Sequence, residues 1–200
     1  MGTEQVFAPT ELLWALSGLI LTIAGNWLEA FITNAPWYWG QMGIHIASLG
    51  VNCQVGAVLL TGCMGGKNAA IASQIAYLTL GLVFGLPVFN QGGGLTYMQE
   101  PSFGYLVGFV PAAWMCGFLA FQAKPKLETL AFSALCGLLI IHGVGLGYLV
   151  LTYILGWANS ASLSLWEATL AYSIIRLPGH LTVACAVSVI AFLMRRLMFY

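Results

Sequence analysis

The chain has 200 residues, of which 60% are hydrophobic and only 6% are charged, and its six basic residues balance its six acidic ones. Soluble domains carry about 25% charged residues, so this composition excludes an ordinary soluble domain and predicts an integral membrane protein in contact with the lipid bilayer. The balanced charge also excludes a basic surface for nucleic acid. Because a spanning helix needs about 20 apolar residues, six spans leave no room for a separate soluble catalytic domain.

Six apolar segments follow one another and are predicted to form a single transmembrane domain, residues 1–200, of the all-α class. The predicted spans cover residues 12–32, 44–62, 69–86, 103–121, 127–155 and 178–198. Pro36 follows the first span and Pro87 closes the third, as expected of a residue that interrupts helices. Residues 157–176 contain several Ser and Asn and are predicted to be an interfacial loop with an amphipathic stretch.

The basic residues predict the orientation of this bundle. Five of the six fall on one side of the six predicted spans: Lys67, Lys124, Lys126, Arg195 and Arg196. Basic residues concentrate on the cytoplasmic side of membrane proteins, so that side, which holds both termini, is predicted to be cytoplasmic. Arg176 is the one basic residue on the outer side. The expected location is the plasma (inner) membrane, with several crossings.

Polar residues inside the spans are informative, because a polar group facing lipid is costly. In and before the second span, four polar residues recur at helical spacing: Gln41, His45, Ser48 and Asn52. Gln74 and Tyr77 form a similar pair on the third span. Two interpretations stay open: these groups line a pocket, or they only hydrogen-bond to neighbouring helices.

The sequence does not indicate an enzyme. It contains no Asp, no GxSxG and no HExxH, so it lacks the parts for aspartyl, serine or zinc hydrolysis. Three histidines, His45, His142 and His180, leave a membrane b-type haem protein as an alternative of another class, which would show a Soret band. A further alternative is a purely structural subunit, whose polar residues would serve packing alone.

The loop between the third and fourth spans carries the most specific pattern in the chain. It contains GLPVF at residues 85–89, GGGLTY at 92–97 and FGYLVGF at 103–109. Glycines allow the backbone to approach a ligand closely, and irregular backbone in a membrane protein is tolerated where it lines a cavity. We therefore predict an outward-facing pocket with backbone N–H groups and the two tyrosines Tyr97 and Tyr105.

This block resembles the BioY family, the biotin-specific substrate-binding (S) components of energy-coupling factor (ECF) transporters. The resemblance extends from Val51-Asn52-Cys53-Gln54 to Leu177-Pro178-Gly179. It implies a bundle of six transmembrane helices, with both termini cytoplasmic, that binds biotin from outside and catalyses no reaction. It also implies partners, a transmembrane T component and two ABC-type ATPase subunits that use the ATP. The chain itself would bind no cofactor.

The predicted pocket and the family resemblance together give the candidate substrate-binding residues. They are Asn52, Gln74, Tyr77, Asn90, Gly92, Gly93, Gly94, Tyr97, Tyr105, Arg176 and His180. The predicted pocket is largely apolar around the rings and aliphatic tail of the ligand, with these polar groups fixing its polar ends.

The chain departs from the family pattern after Pro178-Gly179. BioY proteins typically have Asp next and Lys three residues later, where this chain has His180 and Val183. A neutral imidazole can accept or donate a hydrogen bond but supplies no fixed negative charge. These departures leave another small vitamin-like ligand as an alternative to biotin.

With the family Lys absent, we hypothesise that Arg176 pairs with the carboxylate of the ligand. The alternative is that Arg176 extends to the membrane interface or pairs with Glu29 or Glu167.

Overall fold

The computed structural model describes residues 9–90, 92–156 and 164–198. In chain order the elements are α1 (Pro9–Trp27), β1 (Glu29–Thr33), a 3-10 turn (Pro36–Tyr38), α2 (Trp39–Met42), β2 (Ile46–Asn52), α3 (Gln54–Leu82), a 3-10 turn (Leu95–Gln99), α4 (Phe103–Ala120), α5 (Leu127–Ile154), α6 (Leu165–Thr169), a π-helical turn (Leu170–Ile174) and α7 (Leu177–Met198). The predicted interfacial segment, 157–176, corresponds to α6 and the π-helical turn in its second half, and residues 157–163 lie outside the described residues.

The long element α3 is a helical hairpin. Gly66 has φ 76° and ψ 178°, which is incompatible with a continuous helix. Gln54 donates from Nε2 to the Tyr77 hydroxyl oxygen at 2.7 Å, whereas a straight helix would separate residues 23 positions apart by about 35 Å. The two arms of α3 therefore lie side by side and, with α1, α4, α5 and α7, form the six-helix bundle predicted from the sequence.

Several of these helices suit a bilayer. Four helical stretches are long and apolar enough to cross a membrane by length and composition: Gln54–Leu82, Phe103–Ala120, Leu127–Ile154 and Leu165–Met198. Since α3 turns back at Gly66, its two arms share the first of these stretches. The prediction of a multi-pass, mostly helical membrane protein is confirmed.

Residues 46–52 form a β strand, and the prediction of a helix starting at residue 44 is wrong for them. β1 and β2 pair in antiparallel register, with Phe31 opposite Ser48 and Thr33 opposite Ile46. The cause is local, because Gly43 (φ 75°) and Gly50 (φ 64°) adopt left-handed backbone that a helix cannot contain.

The polar stripe on the predicted second span is therefore not a helical face. Gln41 belongs to α2, His45 precedes β2, and Ser48 and Asn52 lie on β2. The first helix is also shorter than predicted, ending at Trp27 instead of residue 32, because Glu29–Thr33 pairs with β2.

Glycines bring α4 and α5 into close contact beside the site described below. A Cβ on Gly104 would lie 2.2 Å from Cβ of Tyr148, and one on Gly108 would lie 3.1 Å from the backbone oxygen of Ile141. Only glycine fits at such a distance. This packing fixes the position of Ile141 and of the next residue, His142, relative to α4.

The bundle has two chemically different ends. At one, Lys67 and Arg195 border a cavity of about 570 Å³, and Lys124 and Arg196 border its neighbour; we call this the basic end. The β1–β2 hairpin and the loop from residue 83 to 102 lie at the other end of the helices, which we call the hairpin end.

Candidate functional site

A small cavity of about 170 Å³ lies at the hairpin end, where α1, β2, α3, α4, α5 and α7 converge. One part of its wall is apolar: Val55, Leu106, Phe109 and Ile141. The rest presents amide, hydroxyl, imidazole and guanidinium groups from separate elements. The wall is about half polar, so the prediction of a largely apolar pocket is wrong, but polar groups that converge on a concave site from separate elements are typical of a small-molecule site. The cavity at the basic end is larger, but its lining includes the charged residues Glu11, Lys67 and Arg195.

Three amide side chains present acceptors to the cavity. Asn26 donates from Nδ2 to Val88 O at 3.2 Å, Asn52 from Nδ2 to Asn26 O at 2.8 Å, and Gln54 from Nε2 to Tyr77 Oη. Each of these bonds uses one of the two N–H donors of its amide, so the carbonyl oxygen and one N–H of each amide are left for a ligand among the described residues. Tyr77 completes this support by donating to Val88 O at 3.1 Å.

The glycine-containing loop shapes the wall next to these amides. Gly94 N donates to Gly81 O at 2.7 Å, and a Cβ on Gly93 would lie 2.2 Å from Leu86 O. Gly92 exchanges backbone hydrogen bonds with Phe89. The three glycines fold the loop onto the end of α3, which places its neighbour Asn90 at the cavity.

Tyr97 follows this loop and lines the cavity with a buried ring. Its ring lies 4.7 Å from that of Phe89, centroid to centroid, and its hydroxyl lies 3.2 Å from Ser102 Oγ. Burial raises the pKa of the Tyr97 phenol above its usual value. The hydroxyl therefore stays protonated at neutral pH and is able to donate.

Four side chains form a hydrogen-bonded series behind and along one wall. The Tyr105 hydroxyl lies 2.7 Å from Ser173 Oγ, which lies 3.1 Å from His142 Nδ1. The other nitrogen of that ring, Nε2, lies 3.2 Å from His180 Nδ1. Tyr105 and His180 line the cavity, whereas His142 and Ser173 lie behind it. Since the two imidazoles bond directly to each other, they do not form the facing pair that haem ligation requires.

Arg176 is the one charged side chain among the described residues that line the cavity. Its Nε donates to Ala171 O at 3.2 Å, and its guanidinium lies 5.7 Å from the ring centroid of Tyr172. The alternative pairs are not formed, because Glu29 accepts from Ser48 and Glu167 caps α6 through Ser164. Within the part of the chain that the structure describes, neither terminal nitrogen of Arg176 has a hydrogen-bond partner, which leaves both for an anion.

The structure brings six of the predicted site residues to the cavity: Asn52, Asn90, Tyr97, Tyr105, Arg176 and His180. The remaining five do not line it. Gln74 donates to Thr22 and Ser73 inside the bundle, Tyr77 supports Gln54, and Gly92, Gly93 and Gly94 shape the loop.

Val183, at the position of the family Lys, also faces away from the cavity. It packs against Gly56, where an added Cβ would lie 2.7 Å from Val183 Cγ1, and it borders an apolar groove between α1, α3 and α7. Of the two departures, His180 therefore lines the cavity, whereas the Val183 side chain does not.

The sequence did not predict a role in substrate binding for four residues that line the cavity, Asn26, Gln54, Ser102 and Tyr172, or for two behind it, His142 and Ser173. Gln54 stands in a segment that resembles the family, and this was the available signal. For Ser173 no signal existed, because its role depends on a π-helical turn that turns it towards α4 and α5.

The fold defines a class of membrane protein. The structure is similar to one described as the crystal structure at 2.1 Å of the S-component for biotin from an ECF-type ABC transporter, with a TM-score of 0.69 and 19% sequence identity. The similarity covers 96% of this chain and 95% of that one. The protein therefore has the fold of an ECF S component.

Sequence comparison then gives the family. Residues 11–199 match the BioY family, and the chain belongs to that family. It is 40% identical over 110 residues to the probable biotin transporter BioY of Lysinibacillus sphaericus, a match that covers 54% of this chain and 55% of the relative. It is 33% identical over 105 residues to the biotin transporter BioY of Thermotoga maritima, covering 52% of this chain and 61% of the relative.

The chain thus spans only somewhat more than half the length of these two relatives. A longer match, 34% identical over 151 residues, covers 75% of this chain and 76% of an uncharacterized 21.2 kDa protein of Cyanophora paradoxa.

Proposed function

We propose that this chain is the biotin-binding S component of an ECF-type vitamin importer. The observation that carries the proposal is the cavity at the hairpin end, whose amide oxygens, His180 and Arg176 complement the polar groups of biotin. Family membership and the names of the relatives, which are biotin transporters, support the same ligand.

The chemistry of biotin matches the wall of the cavity. Its cyclic urea offers two N–H donors and one carbonyl acceptor, and its aliphatic tail ends in a carboxylate. The amide oxygens of Asn26, Asn52 and Gln54 suit the urea N–H groups, and tyrosine hydroxyls suit the carbonyl. Arg176 suits the carboxylate, in two parallel hydrogen bonds where the geometry permits. Leu106, Phe109 and Ile141 offer apolar contact to the rings and tail.

The proposal includes an orientation and partners. The hairpin end faces outward and captures the ligand, and the basic end, with both termini, faces the cytoplasm of the plasma membrane. The chain carries the ligand and catalyses no reaction. The work of transport comes from a transmembrane T component and two ABC-type ATPase subunits that hydrolyse ATP, as in the class of importer named for the similar structure.

A thermal-shift panel on the detergent-purified protein tests the ligand. A ligand that binds only the folded state must raise the unfolding temperature. We expect saturable stabilisation by biotin, weaker stabilisation by the uncharged biotin amide, and none by thiamine or riboflavin. Stabilisation by another vitamin but not by biotin would favour the second candidate, an S component for a different ligand, which the replacement of Asp by His180 suggests. The absence of stabilisation by any of them would contradict the proposal.

A further inference from the structure

We propose that His142 and Ser173 are positioning residues. They join Tyr105 and His180 in one hydrogen-bonded series, and this series decides which atom of the cavity wall accepts from the ligand and which donates to it. The inference rests on the proposed function and deepens it. Neither His142 nor Ser173 lines the cavity, so both act through the two residues that do.

This hydrogen-bonded series is continuous and is buried at its centre. Its three links measure 2.7 Å from Tyr105 Oη to Ser173 Oγ, 3.1 Å from Ser173 Oγ to His142 Nδ1 and 3.2 Å from His142 Nε2 to His180 Nδ1. Ser173 and His142 are each 5% exposed and His180 is 8% exposed. A buried polar group that lacks a partner is costly, so all three links are expected to be kept.

Each link holds one hydrogen, and this couples the two ends. Among the described residues the Ser173 hydroxyl has only Tyr105 and His142 as partners, so it donates to one and accepts from the other. If Ser173 donates to His142 Nδ1, then His142 donates from Nε2 to His180 Nδ1. His180 in turn carries its hydrogen on Nε2 and presents a donor to the cavity, while the Tyr105 hydroxyl donates its hydrogen to Ser173 Oγ.

The second state reverses every link. His180 donates from Nδ1 to His142 Nε2, His142 donates from Nδ1 to Ser173, and Ser173 donates to the Tyr105 oxygen. His180 Nε2 is then a bare acceptor and the Tyr105 hydroxyl is a free donor. Every group keeps the same number of protons in both states, so the two states differ only in tautomer and hydroxyl orientation.

Each state offers the cavity one donor and one acceptor, so the two states suit opposite orientations of a cyclic urea; the second matches the orientation proposed above, in which the carbonyl faces the tyrosine hydroxyls. An acceptor at His180 suits a urea N–H, and a donor at Tyr105 suits a urea carbonyl. A ligand in this orientation therefore selects the second state, and the hydrogen-bonded series makes its two ends change together. In this way His180, a residue without negative charge, acquires a defined acceptor character at the cavity wall.

Nitrogen NMR of the protein labelled with ¹⁵N in histidine reads the tautomers directly, because protonated and bare ring nitrogens of a neutral imidazole have distinct chemical shifts. Signals are assigned with His45→Gln, His142→Phe and His180→Ala. The hydrogen-bonded series requires that His142 and His180 have the same tautomer. With biotin bound, both are expected to carry the hydrogen on Nδ1. Opposite tautomers, a cationic ring in either residue, or Nε2 protonation of His180 in the complex would overturn the proposal.

Binding measurements test whether His142 acts through His180. His142→Phe removes one hydrogen bond from His180 and is expected to weaken biotin binding about two- to tenfold. In a double-mutant cycle, His142→Phe should cause a smaller loss in the His180→Ala background than in the wild type, because only its effect through Ser173 and Tyr105 remains there. Equal losses in both backgrounds would mean that His142 is merely structural.

Ser173→Ala, which cuts the link to Tyr105, has a matched control in Ser188→Ala. Ser188 is also buried, on α7, but bonds only to Ala184 O of its own helix. We expect about two- to tenfold weaker binding for Ser173→Ala and no change for Ser188→Ala. If the wild type binds no biotin, the proposed function fails. The histidine tautomers of the free protein still decide whether the hydrogen-bonded series exists.

Discussion

His180 and Arg176 bring two different kinds of recognition to one wall of the cavity. They are four residues apart, and the His180 backbone N–H donates to Arg176 O at 3.0 Å, so the first turn of α7 holds them in fixed relation. His180 offers a directional hydrogen bond without net charge, whereas Arg176 supplies a cation at the exposed edge. The ligand expected from this pair has a hydrogen-bonding end and an anionic end.

Truncation of Arg176 should separate these two contributions. Arg176→Ala is expected to weaken biotin binding about tenfold, because one charge-assisted contact at an exposed site is lost. Binding of the uncharged biotin amide should stay unchanged, since it has no carboxylate to pair. Arg196→Ala, at the basic end, is the matched control. Equal binding of both ligands to wild type and Arg176→Ala would rule out the role of Arg176.

At the scale of residues the sequence predicts polarity better than position. Periodicity showed correctly that Gln74 and Tyr77 avoid lipid, but not that Gln74 bonds to Thr22 and that Tyr77 supports Gln54. Whether a buried polar group meets a cavity or another side chain depends on neighbours far away in sequence. The link between His142 and Ser173 has the same origin and could not be predicted.

The elements differ in how well the sequence predicts them. α4 and α5 end within one residue of the predicted spans, because each is a continuous apolar run bounded by Pro101 and Ser102 or by Pro125 and Lys126. The β1–β2 hairpin was missed because Ile46 and Val51 are apolar and suit either a helix or a strand. The left-handed glycines Gly43 and Gly50 decide between the two.

The loop after α3 gives a prediction at this scale. Gly93→Ala places a Cβ against Leu86 O, so the loop must shift away from α3. We expect a loss of about 1–3 kcal/mol in the free energy of unfolding, as for other overpacked sites, together with weaker biotin binding. Thermal unfolding and a biotin titration measure both.

Gly147→Ala is the control for this loop variant, because an added Cβ at Gly147 on α5 meets nothing within 4 Å. Its unfolding temperature should equal or slightly exceed that of the wild type, since alanine favours helix over glycine. If both variants behaved alike, the close approach of Gly93 would not shape the site.

The molecule as a whole is asymmetric along the bundle axis. Lys67, Lys124, Arg195 and Arg196 gather around two cavities at the basic end, whereas the ligand cavity and the β hairpin occupy the hairpin end. The asymmetry agrees with the proposed orientation, in which the hairpin end faces outward and the basic end faces the cytoplasm.

Cysteine labelling tests this orientation in intact cells, in a background from which the native cysteines have been replaced. Gly40→Cys lies in the hairpin connection, where an added Cβ meets nothing, and Ala123→Cys lies in the exposed turn after α4. A membrane-impermeant maleimide should label the first in intact cells and the second only after permeabilisation. The reverse pattern would invert the proposed topology.

Calorimetric titration of the purified protein with biotin tests whether the cavity at the hairpin end is a biotin site. We expect saturable heat, one site per chain and a dissociation constant in about the nanomolar range, which corresponds to about −12 kcal/mol. A titration without saturable binding, on protein that unfolds cooperatively and is therefore folded, would contradict the claim that this cavity holds biotin.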